Sequence, residues 1–159
     1  MRIRSAEEDE LAQLSDLALR SKAVHGYSEE FLEACREELT ITPHRLANET
    51  ILVAEQSGRR LGFVAVAVHH DRAELMDLFV EPDRRGSGVA SRLFETASET
   101  ARAAGATRLE IDSDPHAEDW YRKRGAERIG ETPSGSIPGR VLPRLALRLS
   151  ARPMSRGTP

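Results

Sequence analysis

Residues 73–104 read AELMDLFVEPDRRGSGVASRLFETASETARAA, and the course of the chain from Ala73 to Ala104 decides the fold. Leu75, Leu78, Phe79 and Val80 are apolar and partly β-branched or aromatic, the make-up of a buried strand. Pro82 ends regular pairing, because it has no N–H to donate. Val89, Leu93, Ala97, Ala101 and Ala104 recur at helical spacing, so a helix follows the loop Arg84-Arg85-Gly86-Ser87-Gly88-Val89-Ala90. A helix that starts in such a loop leaves its first N–H groups without internal partners, and its dipole is positive at that end. Gly86 and Gly88 have no side chain to hold an anion off the backbone, and Arg84 and Arg85 add charge. The pattern predicts a phosphorylated ligand at this turn.

Taken alone, a strand, a glycine loop and a helix also describe an ordinary capped turn. Here, however, Arg85-Gly86-Ser87-Gly88-Val89-Ala90 resembles the acetyl-coenzyme A signature of the GNAT superfamily of N-acetyltransferases, Gln/Arg-x-x-Gly-x-Gly/Ala. Leu78-Phe79-Val80-Glu81-Pro82 resembles the strand end that the family places before it. The likeness continues through Asp114-Pro115-His116-Ala117, Tyr121 and Gly125-Ala126, so it covers the second half of the chain; the first half matches only in the order of its elements. The resemblance implies one α/β domain over residues 1–149, with a mixed central sheet of about seven strands and about four helices. The fourth and fifth strands would splay to admit acetyl-coenzyme A. By the same resemblance the cofactor would lie against Leu78, Phe79, Val80, Arg84, Arg85, Gly86, Ser87, Gly88, Val89, Ala90, Ser91, Asp114, Ala117 and Tyr121.

A chain of 159 residues suits one compact domain, and 39% hydrophobic with 31% charged residues is a globular rather than a disordered composition. The net charge of −3 argues against a nucleic-acid partner, which calls for a basic surface. Cys35 is the single cysteine, so no internal disulfide forms, and its spacing with Phe31 and Leu39 predicts a buried structural thiol. Glu7, Glu8, Asp9 and Glu10 stand where a signal peptide would need an apolar core, and no run is long enough for a membrane span. A cytoplasmic protein with no membrane partner is expected.

From the amino terminus, residues 1–4 predict a first strand, and Ser5 with Glu8 reads as a capping box for a helix lined by Leu11, Leu14, Leu17 and Ala18. Gly26 breaks the chain. Ser28 caps a second helix with Phe31, Leu32, Cys35 and Leu39 inside and Glu29, Glu30, Glu33, Glu37 and Glu38 outside. That acidic face is either a solvated surface or a rim that attracts a cationic amine. Residues 50–56 and 61–69 predict a hairpin across Ser57-Gly58-Arg59-Arg60, with His69 and His70 at its end on opposite faces, which speaks against a shared metal ion. Residues 107–111 predict the fifth strand. Asp114 and Pro115 open a further helix that ends at Gly125, and residues 126–131 and 141–149 predict the last two strands. Dimerisation through those strands is open. Residues 150–159 have the composition of a disordered tail.

Transfer of an acetyl group from a thioester to an amine needs a neutral amine, a stabilised carbonyl oxygen and a proton for the departing thiolate. Tyr121 stands where many members of the family carry a tyrosine general acid, and Glu74 where some carry a catalytic glutamate. Asp77, Glu110 and Asp112 are further candidates for the base; alternation puts Asp77 on the wrong face unless a bulge intervenes. A backbone N–H near Phe79 or Val80 would hold the oxygen. Asp114 stands where many relatives have an asparagine that contacts the cofactor arm. Residues 134–140 form a polar loop whose Arg140 could clamp a substrate carboxylate or phosphate, with His25 and Tyr27 as the opposite wall. The acidic helix and the basic loop favour different acceptors, and an amino acid-like amine would satisfy both. The competing expectation is a non-catalytic module that binds or senses acyl-coenzyme A through the same loop.

Overall fold

The computed structural model describes residues 1–149; the tail expected over 150–159 lies outside the described residues. Seven strands form one sheet: β1 (Arg2–Ser5), β2 (Thr50–Gln56), β3 (Arg59–His69), β4 (Arg72–Val80), β5 (Arg108–Asp112), β6 (Glu127–Pro133) and β7 (Val141–Arg148). Their order across the sheet is β1-β2-β3-β4-β5-β7-β6. Every neighbouring pair is antiparallel except β4 and β5, which run parallel. The helices are α1 (Leu11–Ala23), α2 (Glu29–Leu39), α3 (Pro43–Asn48), α4 (Val89–Ala103) and α5 (Glu118–Arg122). Three single turns of 3-10 helix, at Glu8–Glu10, Pro82–Arg84 and Pro115–Ala117, lead into longer elements or loops.

The sheet carries a core on each face, as its alternating strands require. On one side Val64, Val66, Leu75, Leu109 and Ile111 pack with Leu93, Phe94 and Ala97 of α4 and Tyr121 of α5. On the other, Val53, Phe63 and Ala65 pack with Leu14, Leu17 and Ala18 of α1 and Cys35 and Leu39 of α2. The β2–β3 turn has positive φ at both Ser57 (52°) and Gly58 (77°), the backbone that a two-residue hairpin favours.

Two local expectations are corrected. The first cap is built two residues later than Ser5 and Glu8 suggest, from Glu7 and Glu10. The Glu7 N–H donates to Glu10 Oε2 at 2.7 Å, and a 3-10 turn precedes α1. The helix α3 is an addition to the expected elements; Thr42 caps it by accepting from the Arg45 N–H, and Pro43 fills its first turn.

The feature that positions the site is the parting of β4 from β5. They pair only from Arg72↔Arg108 to Leu75↔Ile111, after which β4 runs on to Val80 along β3 alone. The parting coincides with a bulge: Leu75 faces Val66 and Asp77 faces Ala65, so Met76 is the extra residue. Close contact between β3 and β4 beyond the bulge depends on Gly62. A Cβ there would stand 2.7 Å from the Phe79 carbonyl oxygen and 2.9 Å from Val80 Cγ1. Gly62→Ala is therefore expected to cost about 1–3 kcal/mol, read as a lower denaturant midpoint with an unchanged m value.

Candidate active site

At the parting of β4 and β5 lies a cavity of about 500 Å³. Its walls come from both sides of the sheet: Asp77, Leu78 and Phe79 from β4, Ile111 and Asp112 from β5, Ala117 and Tyr121 from the α5 segment. Lys22 and His25 lie at the end of α1 and just after it, Cys35 and Glu38 belong to α2, and Arg45 and Glu49 to the α3 segment. Ser134, Ser136 and Arg140 show that the loop between β6 and β7 does border this cavity.

Beside it, a smaller pocket of about 260 Å³ is bounded by Val80, Arg84, Gly86, Gly88, Ala90, Ser91, Trp120 and Arg124. Gly88 is left-handed (φ 91°) and makes no side-chain cap, and the first bond into α4 runs from the Arg92 N–H to the Gly88 carbonyl. The N–H groups at the start of α4 are thus available to a ligand. A Cβ at Gly86 (φ 75°) or at Gly88 would meet nothing within 4 Å, so the turn stands open. Arg84 Nε is buried and has no hydrogen-bond partner among the described residues. An orphaned guanidinium N–H beside free backbone donors fits a diphosphate such as that of coenzyme A. Arg85 and Ser87 are exposed, Val89 is buried in the core, and the Ser87 hydroxyl is taken up by the Arg84 carbonyl. Sequence reasoning missed Arg124, which lies 3.5 Å over the Trp120 ring and donates to Ser91 Oγ at 2.8 Å.

Tyr121 is 7% exposed and sits against Phe94 and Trp120 with its ring centres 5.6 and 5.1 Å away. Among the described residues nothing hydrogen-bonds to its hydroxyl, although the side chain borders the cavity. Burial, with Asp77 and Asp114 nearby, raises its pKa above the usual phenol range. The hydroxyl stays protonated at neutral pH.

The bulge at Met76 brings Asp77 to the side of the sheet that bears α1 and α2, the face on which Glu74 also stands. Asp77 is 8% exposed and borders the cavity. Burial pushes its pKa up to about 7, against the pull of the Arg45 guanidinium that hydrogen-bonds to it. Glu74, expected as the base, does not border the cavity; its carboxylate lies 3.8 Å from Arg72 and 3.8 Å from Arg144. Glu110 is held by Arg108 and Arg144, and Asp112 by Arg144.

His25, Tyr27, Asp114 and Arg140 come together, though differently from the expected open wall. The Asp114 carboxylate accepts from Lys22 Nζ and from the Tyr27 hydroxyl, each at 3.1 Å, and caps its own turn through the His116 N–H at 2.9 Å. Arg140 donates to the Tyr27 oxygen at 3.0 Å and lies 4.8 Å over the Phe31 ring. Despite burial, the His116 N–H and the Lys22 cation hold the Asp114 pKa below the ordinary carboxylate range. Burial with Asp114 pushes Tyr27 up to about 12. Tyr27 itself stands behind the wall, while His25 borders the cavity and stacks on His116 at 4.5 Å. Cys35 is buried with the Ser136 hydroxyl 3.6 Å from its sulfur.

A family model for the acetyltransferase (GNAT) family matches residues 11–126, well over half the chain. With the split sheet and the open glycine turn, this places the protein in a family of acyltransferases that use acetyl-coenzyme A: the chain belongs to the GNAT family. It is 34% identical over 93 residues to an IAA acetyltransferase of Azospirillum brasilense, a match that takes in 55% of this chain and 61% of that protein. A GCN5-related N-acetyltransferase structure from Rhodopseudomonas palustris superposes with a TM-score of 0.79 at 24% identity, over 93% of this chain and 95% of that one. The PaiA N-acetyltransferase of Thermoplasma acidophilum, crystallised with coenzyme A, gives 0.77 at 18% identity, over 92% and 98%. At these identities the two structures speak for the fold alone. No helix among the described residues is long and apolar enough to cross a membrane.

Proposed function

We propose that the protein is an acetyl-coenzyme A-dependent N-acetyltransferase acting on the primary amine of a small cationic molecule. The observation that carries this reading is the cavity at the parting of β4 and β5, which gathers Tyr121 and Asp77 beside the open turn of Arg84 to Ala90. Acetyl-coenzyme A supplies an activated acyl group as a thioester. Arg84, the turn's backbone donors and the unpaired edge of β4 hold it, the last by accepting the pantetheine arm as an added strand. The amine attacks directly in a ternary complex, forming the C–N bond as the C–S bond breaks. Asp77, rather than Glu74, accepts the proton the ammonium must lose, and Tyr121 gives one to the departing thiolate.

Charge pairing supports a cationic acceptor. Lys22 and Arg140 are already paired with Asp114, at 3.1 and 3.6 Å, which offsets part of their charge. Across the cavity Glu49 and Asp77 share Arg45, and Glu38 has no ion-pair partner among the described residues. The amino acid-like acceptor is thereby less favoured than a simple or multiply charged amine.

A panel of amines, diamines, amino acids and peptides, followed by release of free coenzyme A thiol, tests the reading. Turnover is expected with cationic amines; tight coenzyme A binding with no turnover on any member would instead favour a sensing module. Arg84→Ala is expected to weaken coenzyme A binding by about 10- to 100-fold, through loss of charge-assisted hydrogen bonds, as measured by calorimetry. Unchanged affinity would remove Arg84 from the anion site.

A further inference from the structure

The short helix α3 puts one guanidinium between two carboxylates. Arg45 donates through Nε and one terminal nitrogen to the two oxygens of Glu49, both at 2.9 Å, and the same terminal nitrogen donates to Asp77 Oδ2. All three residues border the cavity, and the Arg45 side chain is 17% exposed against 7% for that of Asp77. The groups that face Asp77 from the surrounding elements are Arg45 and Glu49 of the α3 segment, Glu38 of α2 and the neutral Tyr121 of α5. Arg45 is the cation that hydrogen-bonds to it; Lys22, His25 and Arg140 line the same cavity without bonding to Asp77.

We propose that Arg45, fixed from behind by Glu49, is the positioning residue that keeps the buried Asp77 ionised and in place for proton transfer. This rests on Asp77 being the base. An isolated buried carboxylate takes up a proton rather than stay charged, so a base in this wall needs a counter-charge that does not leave. The two-point grip of Glu49 supplies that fixity, since a planar fork bound on one edge still has donors for a second carboxylate. Of the carboxylates Glu38, Glu49 and Asp77, only Asp77 lies on β4, the strand that lines the cofactor cleft where the acceptor's proton is lost.

The test reads Asp77 directly and needs no acceptor. In the 159-residue chain labelled with ¹³Cγ-aspartate, the Asp77 resonance is assigned by its loss in Asp77→Asn and titrated by NMR. In Arg45→Gln its midpoint is expected to move up by about one pH unit or more, with Arg45→Lys between that variant and the wild type. An unmoved midpoint in Arg45→Gln overturns the proposal; should that variant fail to fold, an unmoved midpoint in the neutral Arg45→Met overturns it. The kinetic arm follows coenzyme A release with the best amine of the panel. The acid limb of kcat/KM is expected to move with the NMR midpoint, whereas a purely structural Arg45 would lower thermal stability and leave that limb in place. Full turnover by Asp77→Asn would sink the assignment of the base itself, a separate failure from an immobile midpoint.

Discussion

Tyr121→Phe is expected to lower kcat by about 10²- to 10⁴-fold while leaving the affinity for coenzyme A within about twofold of the wild type. The change removes one oxygen and nothing else, and that oxygen has no hydrogen bond among the described residues whose loss would disturb the fold. Its ring keeps its packing against Phe94 and Trp120. Burial holds the phenol protonated through the neutral range, so it can donate to a developing thiolate but cannot serve as a base there. Loss of a group used only as the C–S bond breaks should appear in kcat and kcat/KM alike, with substrate binding preserved. Stopped-flow measurement of coenzyme A release, alongside calorimetric titration of coenzyme A, separates the two quantities. A Phe variant that turns over at the wild-type rate would return Tyr121 to the core as a packing residue.

The open glycine turn ahead of α4 was legible in the sequence because its chemistry is local. Glycines at 86 and 88, two arginines and a helix-period run lie within one short stretch, and each has the same meaning wherever the chain goes. Asp114 as a turn cap was legible for the same reason. The base was not. Whether Asp77 shares a face with Glu74 depends on one extra residue, Met76, and no glycine or proline marks the bulge there. A one-residue slip inverts every side chain beyond it, so alternation alone puts Asp77 on the other face, and the bulge that the sequence left open reverses it. Arg45 was hidden by distance: its partner Asp77 stands 32 positions along the chain. Thr42-Pro43 did carry the signal for α3, a capping residue followed by proline, though the helix is too short for apolar periodicity to confirm it. The pairing around the expected acceptor wall was hidden in a third way. Arg140 bonds to Tyr27 and lies against Asp114, which Tyr27 and Lys22 also engage. Only the tertiary fold creates that pairing.

The largest loss of stability is expected far from the chemistry, at Glu10. Its side chain is 1% exposed and bridges three elements. Arg4 of β1 donates to both of its oxygens at 2.7 and 3.0 Å, and Arg60 of β3 donates at 2.6 Å. The Glu7 N–H ahead of α1 also depends on it. Desolvation alone would raise its pKa, but the two guanidinium groups and the Glu7 N–H prevail and lower it to about 2. Glu10→Ala leaves those donors facing a void, which is expected to cost about 3–5 kcal/mol; Arg4 retains Glu55, which argues for the lower end. For a chain of this size that corresponds to a fall in Tm of about 10 °C. Glu10→Gln, which keeps the shape and an acceptor, should lose less. The pH dependence follows from the depressed folded-state pKa: the carboxylate's contribution is complete above its ordinary value near 4.5 and disappears as pH falls through about 2. Denaturation of wild type and Glu10→Gln across that window should therefore show their stability gap shrinking as acid is added. A gap that stays constant down to the acid limit would mean that packing at β1, and not the ionised carboxylate, ties the first strand to α1.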